Sequence, residues 1–193
     1  MIRIGILGDI GSGKSYVANN FGYPVFNADL EVSKLYKQDK KVFKKLKQKL
    51  PKYISSFPID KNEITKAILS NKINLKKIIK IVHAEVRKKM NLFFKKNKNK
   101  KFVVLDVPLL LENKLVKKGD ILIFVDSKKS DILKKLTKRK NFNKKLFNKF
   151  KKIQFTKQYK IRKSHFVIKN DFTKKTINTN IKDILRQNKS MKE

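Results

Sequence analysis

The chain has 193 residues, no cysteine and a formal net charge of +36. That length supports one core burying ~70% of the unfolded surface without staples, and the missing cysteines exclude a disulfide scaffold or a cysteine-based zinc site. At 40% hydrophobic and 10% aromatic the chain is not wholly disordered, and no apolar run approaches the ~20 residues of a membrane helix.

Met1 to Leu7 has no basic leader or small-residue cleavage site, so it does not read as a signal peptide. A soluble, cytoplasmic protein is expected. Arg3–Leu7 is a nearly continuous apolar run, the mark of a buried parallel strand. It ends at the glycine-rich turn Gly8–Gly13. A helix follows from Lys14 to about Phe21. Gly22 and Pro24 break it, and Pro24-Val25-Phe26 forms a second strand leading into Asn27-Ala28-Asp29. From Leu30 to Phe94 the pattern is mostly helical. Leu35, Val42, Phe43, Leu46 and Leu50 fit one helix face, and Pro51 and Pro58 interrupt it. Ile78, Ile79, Val82, Val86 and Met90 form a second stripe. Lys95–Lys101 reads as a loop.

Phe102–Val107 is a third strand, closed by Pro108. Ile121–Val125 is a fourth, ending at Asp126. A basic helical stretch covers Asp131 to about Lys160. Phe166–Ile168 is a short final strand, and from about Thr176 the pattern is a fraying helix. Strands separated by helices predict a parallel sheet covered on both faces, an α/β fold.

Basic residues number 51 against 15 acidic ones. All but Arg3, Arg87, Arg139, Arg162 and Arg186 are lysines, and they are spread over the whole chain. Lysine, asparagine, isoleucine and phenylalanine share A/T-rich codons, so biased genome composition explains the excess without a polyanion partner. Salt-sensitive sticking to nucleic acid is expected, specific binding is not. The charge also attracts anionic metabolites.

Gly8-Asp9-Ile10-Gly11-Ser12-Gly13-Lys14-Ser15 matches G-x-x-x-x-G-K-[ST] in full, with a strand before it and a helix after it. Glycines let successive N–H groups curl around phosphate oxygens, and the helix N-terminus adds its positive end. Lys14 then reaches the β- and γ-phosphates and the Ser15 hydroxyl takes Mg²⁺. Asp9 is an unwelcome acid there unless its side chain points away.

Other carboxylates sit at strand ends, where such sheets gather ligands. Asp29 is either a base for a hydroxyl nucleophile or a helix N-cap. Asp106 is either a metal-holding acid or a turn residue. Glu112, after Pro108-Leu109-Leu110-Leu111, either closes a pocket wall or begins a helix. His83 and Arg87 share a helix face at i, i+4, which suggests anion recognition. Arg139, in a run of lysines, either grips phosphate or a base through its planar fork or lies on a solvated face. His83 and His165 alone make no metal site.

From about Ile4 to Asn170 the sequence resembles the dephospho-coenzyme A kinase family. The resemblance rests on the phosphate loop, Asn27-Ala28-Asp29, Ile81-Val82-His83 with Arg87, and Asp106-Val107-Pro108-Leu109-Leu110-Leu111-Glu112. Arg139, Gln154 and Phe166–Asn170 extend it. It implies a P-loop kinase fold with a five-stranded parallel core over 1–29, 101–137 and 163–193. It also implies a helical acceptor-binding insertion over 30–100 and a lid over 138–162.

The implied reaction moves the ATP γ-phosphoryl group to the ribose 3′-hydroxyl of dephospho-CoA, the last step of coenzyme A synthesis. Its substrates are ATP and dephospho-CoA, with Mg²⁺. The implied roles are Asp29 as base, Lys14 on the transferring group and Arg139 closing over ATP. Gly8, Gly11, Ser12, Gly13, Lys14, Ser15 and Tyr16 bind ATP. Ser15 and Asp106 hold the metal, and His83, Arg87, Leu109, Leu110 and Glu112 line the acceptor site with Asp29. The sequence departs from the family at Asp9 (usually Gly), Asn27 (usually Asp), Ala84 (usually Pro) and Ser164-His165 (usually Ala-Asp). The competing readings are a kinase for another small hydroxyl acceptor, of nucleotide or shikimate type, and a nucleic-acid-binding P-loop protein.

Overall fold

The computed structural model describes residues 1–139 and 142–190. Five strands form one all-parallel sheet: β1 (Ile2–Gly8), β2 (Val25–Asn27), β3 (Phe102–Asp106), β4 (Ile121–Asp126) and β5 (Phe166–Lys169). Their order is β2-β3-β1-β4-β5. The chain leaves β1 toward one side of the sheet and later returns to the other, so the end of β1 lies where the winding reverses. Crevices at such reversals are where open α/β sheets bind ligands.

The central strands are apolar throughout because both faces are covered. Ile4, Ile6, Val104, Ile123 and Val125 are buried, and they meet Val17, Ala18 and Phe21 with Ile177, Ile181 and Ile184 in one core. The first three of those partners lie on or just after α1 (Lys14–Asn19), and the last three on α9 (Lys174–Ser190). Arg3 is the polar exception on β1. Its guanidinium bonds Asp120 at 2.7 Å and the Leu115 carbonyl at 2.8 Å, so the buried charge is matched.

The chain divides into two compact units. One comprises Met1–Asn27, Asn97–Phe142 and Phe150–Glu193 and holds the sheet. The other comprises Ala28–Lys96 and Asn143–Lys149. Within the second, α2 (Ala28–Gln38), α3 (Lys40–Lys49) and α4 (Lys61–Ser70) pack against α5 (Lys72–Lys96). Leu75, Ile78, Val82 and Met90 are the buried stripe of α5. The Lys149 ammonium bonds the Ile68 carbonyl in the same unit.

Three expectations are corrected. Leu35 and Val42 do not share one helix: Asp39 ends α2 and caps α3 by accepting from the Lys41 and Val42 amides. The basic stretch from Asp131 is three helices, α6 (Lys129–Thr137), α7 (Lys144–Lys151) and α8 (Lys157–Arg162). The supposed loop at Lys95 is still helix, since α5 runs to Lys96. Lysine is a good helix former, so polarity alone does not end a helix. Residues 140 and 141 of the expected lid and 191–193 of the expected fraying end lie outside the described residues.

Candidate active site

β1 delivers the chain to Gly8 at the winding reversal, and the next residues form a loop held from behind. The Ser12 carbonyl accepts from the Ser127 hydroxyl at 2.9 Å and from Asn170 Nδ2 at 2.8 Å. Ser127 follows β4, and Asn170 follows β5, so the ends of two neighbouring strands grip the loop. Two glycines are dictated by this packing. A Cβ on Gly8 would lie 2.5 Å from the Ser12 hydroxyl, and one on Gly13, at φ +87, would lie 2.5 Å from Asn170 Nδ2. The Ser12 hydroxyl is buried with no hydrogen-bond partner among the described residues.

Lys14 Nζ folds over the loop, donating to the carbonyls of Gly8 at 3.1 Å and Asp9 at 2.8 Å. Asp106 sits at the end of β3, opposite Asn27 in the β2–β3 register. It accepts from Asn27 Nδ2 at 2.6 Å, and the Ser15 side chain lies near its carboxyl. Burial pushes its carboxyl above the usual range, while the Ser15 side chain and the Lys14 charge pull it back. Asp106 is therefore no mere turn residue: it is a buried acid set beside two residues of the phosphate motif.

The segment after β3 is a series of tight turns, not the start of a helix. Leu109 adopts a left-handed φ of 59°, and its carbonyl accepts from the Asn113 amide at 2.9 Å. Leu110 is buried and fills the space a side chain on Gly5 would take, its Cδ2 only 2.7 Å from that site. Leu109, Leu111 and Glu112 wall an open pocket together with Gly8, Lys14 and Lys160. Glu112 also accepts from the Phe155 amide at 2.8 Å, which ties the turns to the segment before α8.

That segment brings two lysines that sequence reasoning missed. Lys157 pairs with Asp126 at 2.6 Å, and Lys160 pairs with Asp9 at 3.0 Å. Only Asp9, an acid in a phosphate loop, signals that a cation must stand nearby. Among so many lysines, Lys160 itself carries no mark.

Arg139 is exposed in the turn after α6, and Tyr16 is exposed on α1. Asp29 lies inside the first turn of α2, which begins at Ala28 directly after β2. It is thus not the residue before the helix, and the N-cap reading fails. An acid in a first turn still suits the helix dipole. His83 is half-buried and Arg87 exposed on α5. Burial first, then the Arg87 charge, hold the His83 imidazole below its ordinary value. The expected residues therefore divide. Gly8 to Tyr16, Asp106, Leu109, Leu110, Glu112 and Arg139 belong to the sheet unit, and Asp29, His83 and Arg87 to the helical unit.

A sequence model described as dephospho-CoA kinase matches residues 2–176. The chain belongs to the dephospho-CoA kinase family. It is 34% identical over 187 residues to the dephospho-CoA kinase of Wolbachia sp. subsp. Brugia malayi, covering 94% of this chain and 95% of that one. A crystal structure of a Thermus thermophilus protein superposes with a TM-score of 0.77 at 24% identity, over 96% of this chain and 97% of the other. The dephospho-CoA kinase of Campylobacter jejuni superposes with a TM-score of 0.60 at 19% identity, over 96% of each. At those identities the superpositions speak for the fold alone, a P-loop kinase fold.

Against this family background two of the departures have local explanations. Asn27 offers Asp106 an amide donor where a second carboxylate would repel it. His165 takes over a backbone task. Its amide donates to the Leu122 carbonyl at 2.8 Å and its Nδ1 accepts from the Leu122 amide at 2.9 Å. Ala84 is exposed on α5, and nothing in the structure explains why it replaces proline.

As a dephospho-CoA kinase the chain is an enzyme of coenzyme A synthesis that phosphorylates a hydroxyl of dephospho-CoA, with ATP as the phosphoryl donor implied by the kinase family. No described helix is long and apolar enough to cross a membrane.

Proposed function

We propose that the reaction is an in-line transfer of the ATP γ-phosphoryl group to the ribose 3′-hydroxyl, with Asp29 accepting the hydroxyl proton. The observation that carries this reading is the cluster of Lys14, Ser15 and Asp106, in which the buried carboxylate at the end of β3 lies close enough to Ser15 and Lys14 for both to favour its charged form. Lys14 releases the Gly8 and Asp9 carbonyls and follows the transferring group. Gly8, Gly11, Ser12, Gly13 and Ser15 hold the phosphates with Tyr16 alongside, and the buried Ser12 hydroxyl is free to donate to an oxygen. Arg139 closes over ATP as part of a lid spanning 138–162.

The donor set fits Mg²⁺. Ser15 and Asp106 supply hard oxygen ligands, and no described cluster of three His, Cys, Asp or Glu forms an all-protein cage. That suits an ion that keeps waters and takes phosphate oxygens. When bound, it neutralises charge on the β- and γ-phosphates. Asn27 then serves to aim the Asp106 carboxylate.

The helical insertion over 30–100 takes the acceptor. His83, held neutral at neutral pH by burial and Arg87, hydrogen-bonds without charge, and Arg87 meets an acceptor phosphate. Leu109, Leu110 and Glu112 supply a wall. Positioning and charge neutralisation provide most of the catalysis. The test is ADP release with ATP and Mg²⁺, with and without dephospho-CoA, and with AMP, CMP and shikimate as rival acceptors. Release dependent on dephospho-CoA alone, with coenzyme A as product, is expected. Equal stimulation by another acceptor would overturn the assignment.

A further inference from the structure

The acid in the phosphate loop has a dedicated partner. Asp9 Oδ1 lies 3.0 Å from Lys160 Nζ on α8. The lysine side chain is 4% exposed and the carboxylate 42%, so the cation is the buried member of the pair. An ammonium offers three donors. Asp9 takes one and Gln154 Oε1 another at 3.3 Å, leaving one for a ligand among the described residues. Lys160 shares its pocket wall with Gly8 and Lys14. Lys157 is not part of that wall; it pairs with Asp126 at 2.6 Å.

We propose that Lys160 is a phosphate-binding residue and that it is also the counter-charge that makes Asp9 tolerable in the phosphate loop. Asp9 and Lys160 then act as one unit in triphosphate binding. A lone carboxylate in a loop that grips a polyanion opposes its ligand. A lone buried ammonium has no compensation when the loop is empty. Each residue cures the other's defect: Asp9 holds the ammonium at the loop, and Lys160 cancels the acid and presents its remaining donor to a phosphate oxygen. The inference rests on the reading that this loop binds ATP, and it adds a residue from α8 to that site.

The pair predicts reciprocal rescue. ATP, and separately inorganic tripolyphosphate, would be titrated calorimetrically into the parent, Lys160→Met, Asp9→Gly and the double variant. Lys160→Met removes a charged contact and leaves the acid uncancelled, so its Kd should rise at least about tenfold. Adding Asp9→Gly should restore much of that loss. Lys160→Arg keeps the charge and should stay near the parent, which separates charge from folding should the methionine variant fold poorly. Unchanged affinity in Lys160→Met, a double variant no better than Lys160→Met, or an arginine variant as weak as methionine would each overturn the proposal. A parent that binds neither ATP nor tripolyphosphate defeats it together with the phosphate-loop reading. A parent that binds ATP but ignores dephospho-CoA defeats only the acceptor assignment.

Discussion

In the sheet unit, the acids around the phosphate loop are tied to partners far away in sequence: Asp106 to Asn27, Asp9 to Lys160, Asp126 to Lys157 and Glu112 to the Phe155 amide. In the helical unit, acids mostly serve the helices themselves. Asp39 caps α3, Asp60 caps α4, and Glu85 pairs with Lys45 and Lys88 at the surface. One unit uses charge to fix a site, and the other uses charge to start helices and keep them wet. The difference suggests a division of labour. Substitutions around the loop should impair whatever binds phosphate, while substitutions on α5 should tell one substrate from another.

The largest expected effect cuts across that division, because Asp29 belongs to the helical unit. Asp29→Asn should lower turnover by ~10²–10⁴, the range for loss of a general base, while ATP binding by calorimetry stays intact. Unchanged turnover would leave Asp29 as no more than a helix-dipole acid. A smaller effect would sharpen the comparison. Arg87→Ala should raise the KM for dephospho-CoA by ~10–100-fold, the loss of one charged hydrogen bond, and leave the KM for ATP nearly unchanged. Equal shifts in both would remove Arg87 from the acceptor site.

The smallest effect concerns stability and pH. The native fold holds His83 below its ordinary value of 6.5. Around that pH the unfolded chain therefore binds more protons than the native one, so stability is lost as pH falls through it. The urea midpoint should drop between pH 7.5 and 5.5, and His83→Gln should reduce the drop. A drop of the same size in the variant would assign it to other groups.

The sheet was legible because its three central strands are buried: Ile4 to Leu7, Val103 to Leu105 and Leu122 to Val125 read as apolar runs bounded by turn residues. The phosphate loop was legible because its glycines and Lys14 answer to one ligand chemistry. The Asp39 break is masked because the apolar spacing of Leu35, Val42 and Leu46 runs on across it. The turns at Leu109–Glu112 are not legible because three leucines suit a helix as well as a left-handed turn braced by backbone bonds. Lys160 was invisible because its meaning comes from burial against Asp9, 151 residues away, and not from its neighbours. Asn27 read as a loss of an acid, and only the cross-strand register with Asp106 shows it as a donor.

The two hydrogen bonds on the Ser12 carbonyl have a consequence of their own. A peptide unit is planar and trans, so its C=O and the following N–H point in opposite directions. Ser127 and Asn170, by holding the Ser12 oxygen, also fix the heading of the Gly13 N–H on the far side of the same plane. Two side chains that hold the loop from behind thus act as a rudder. They set the bearing of one donor before any anion arrives, and binding need not turn that plane again.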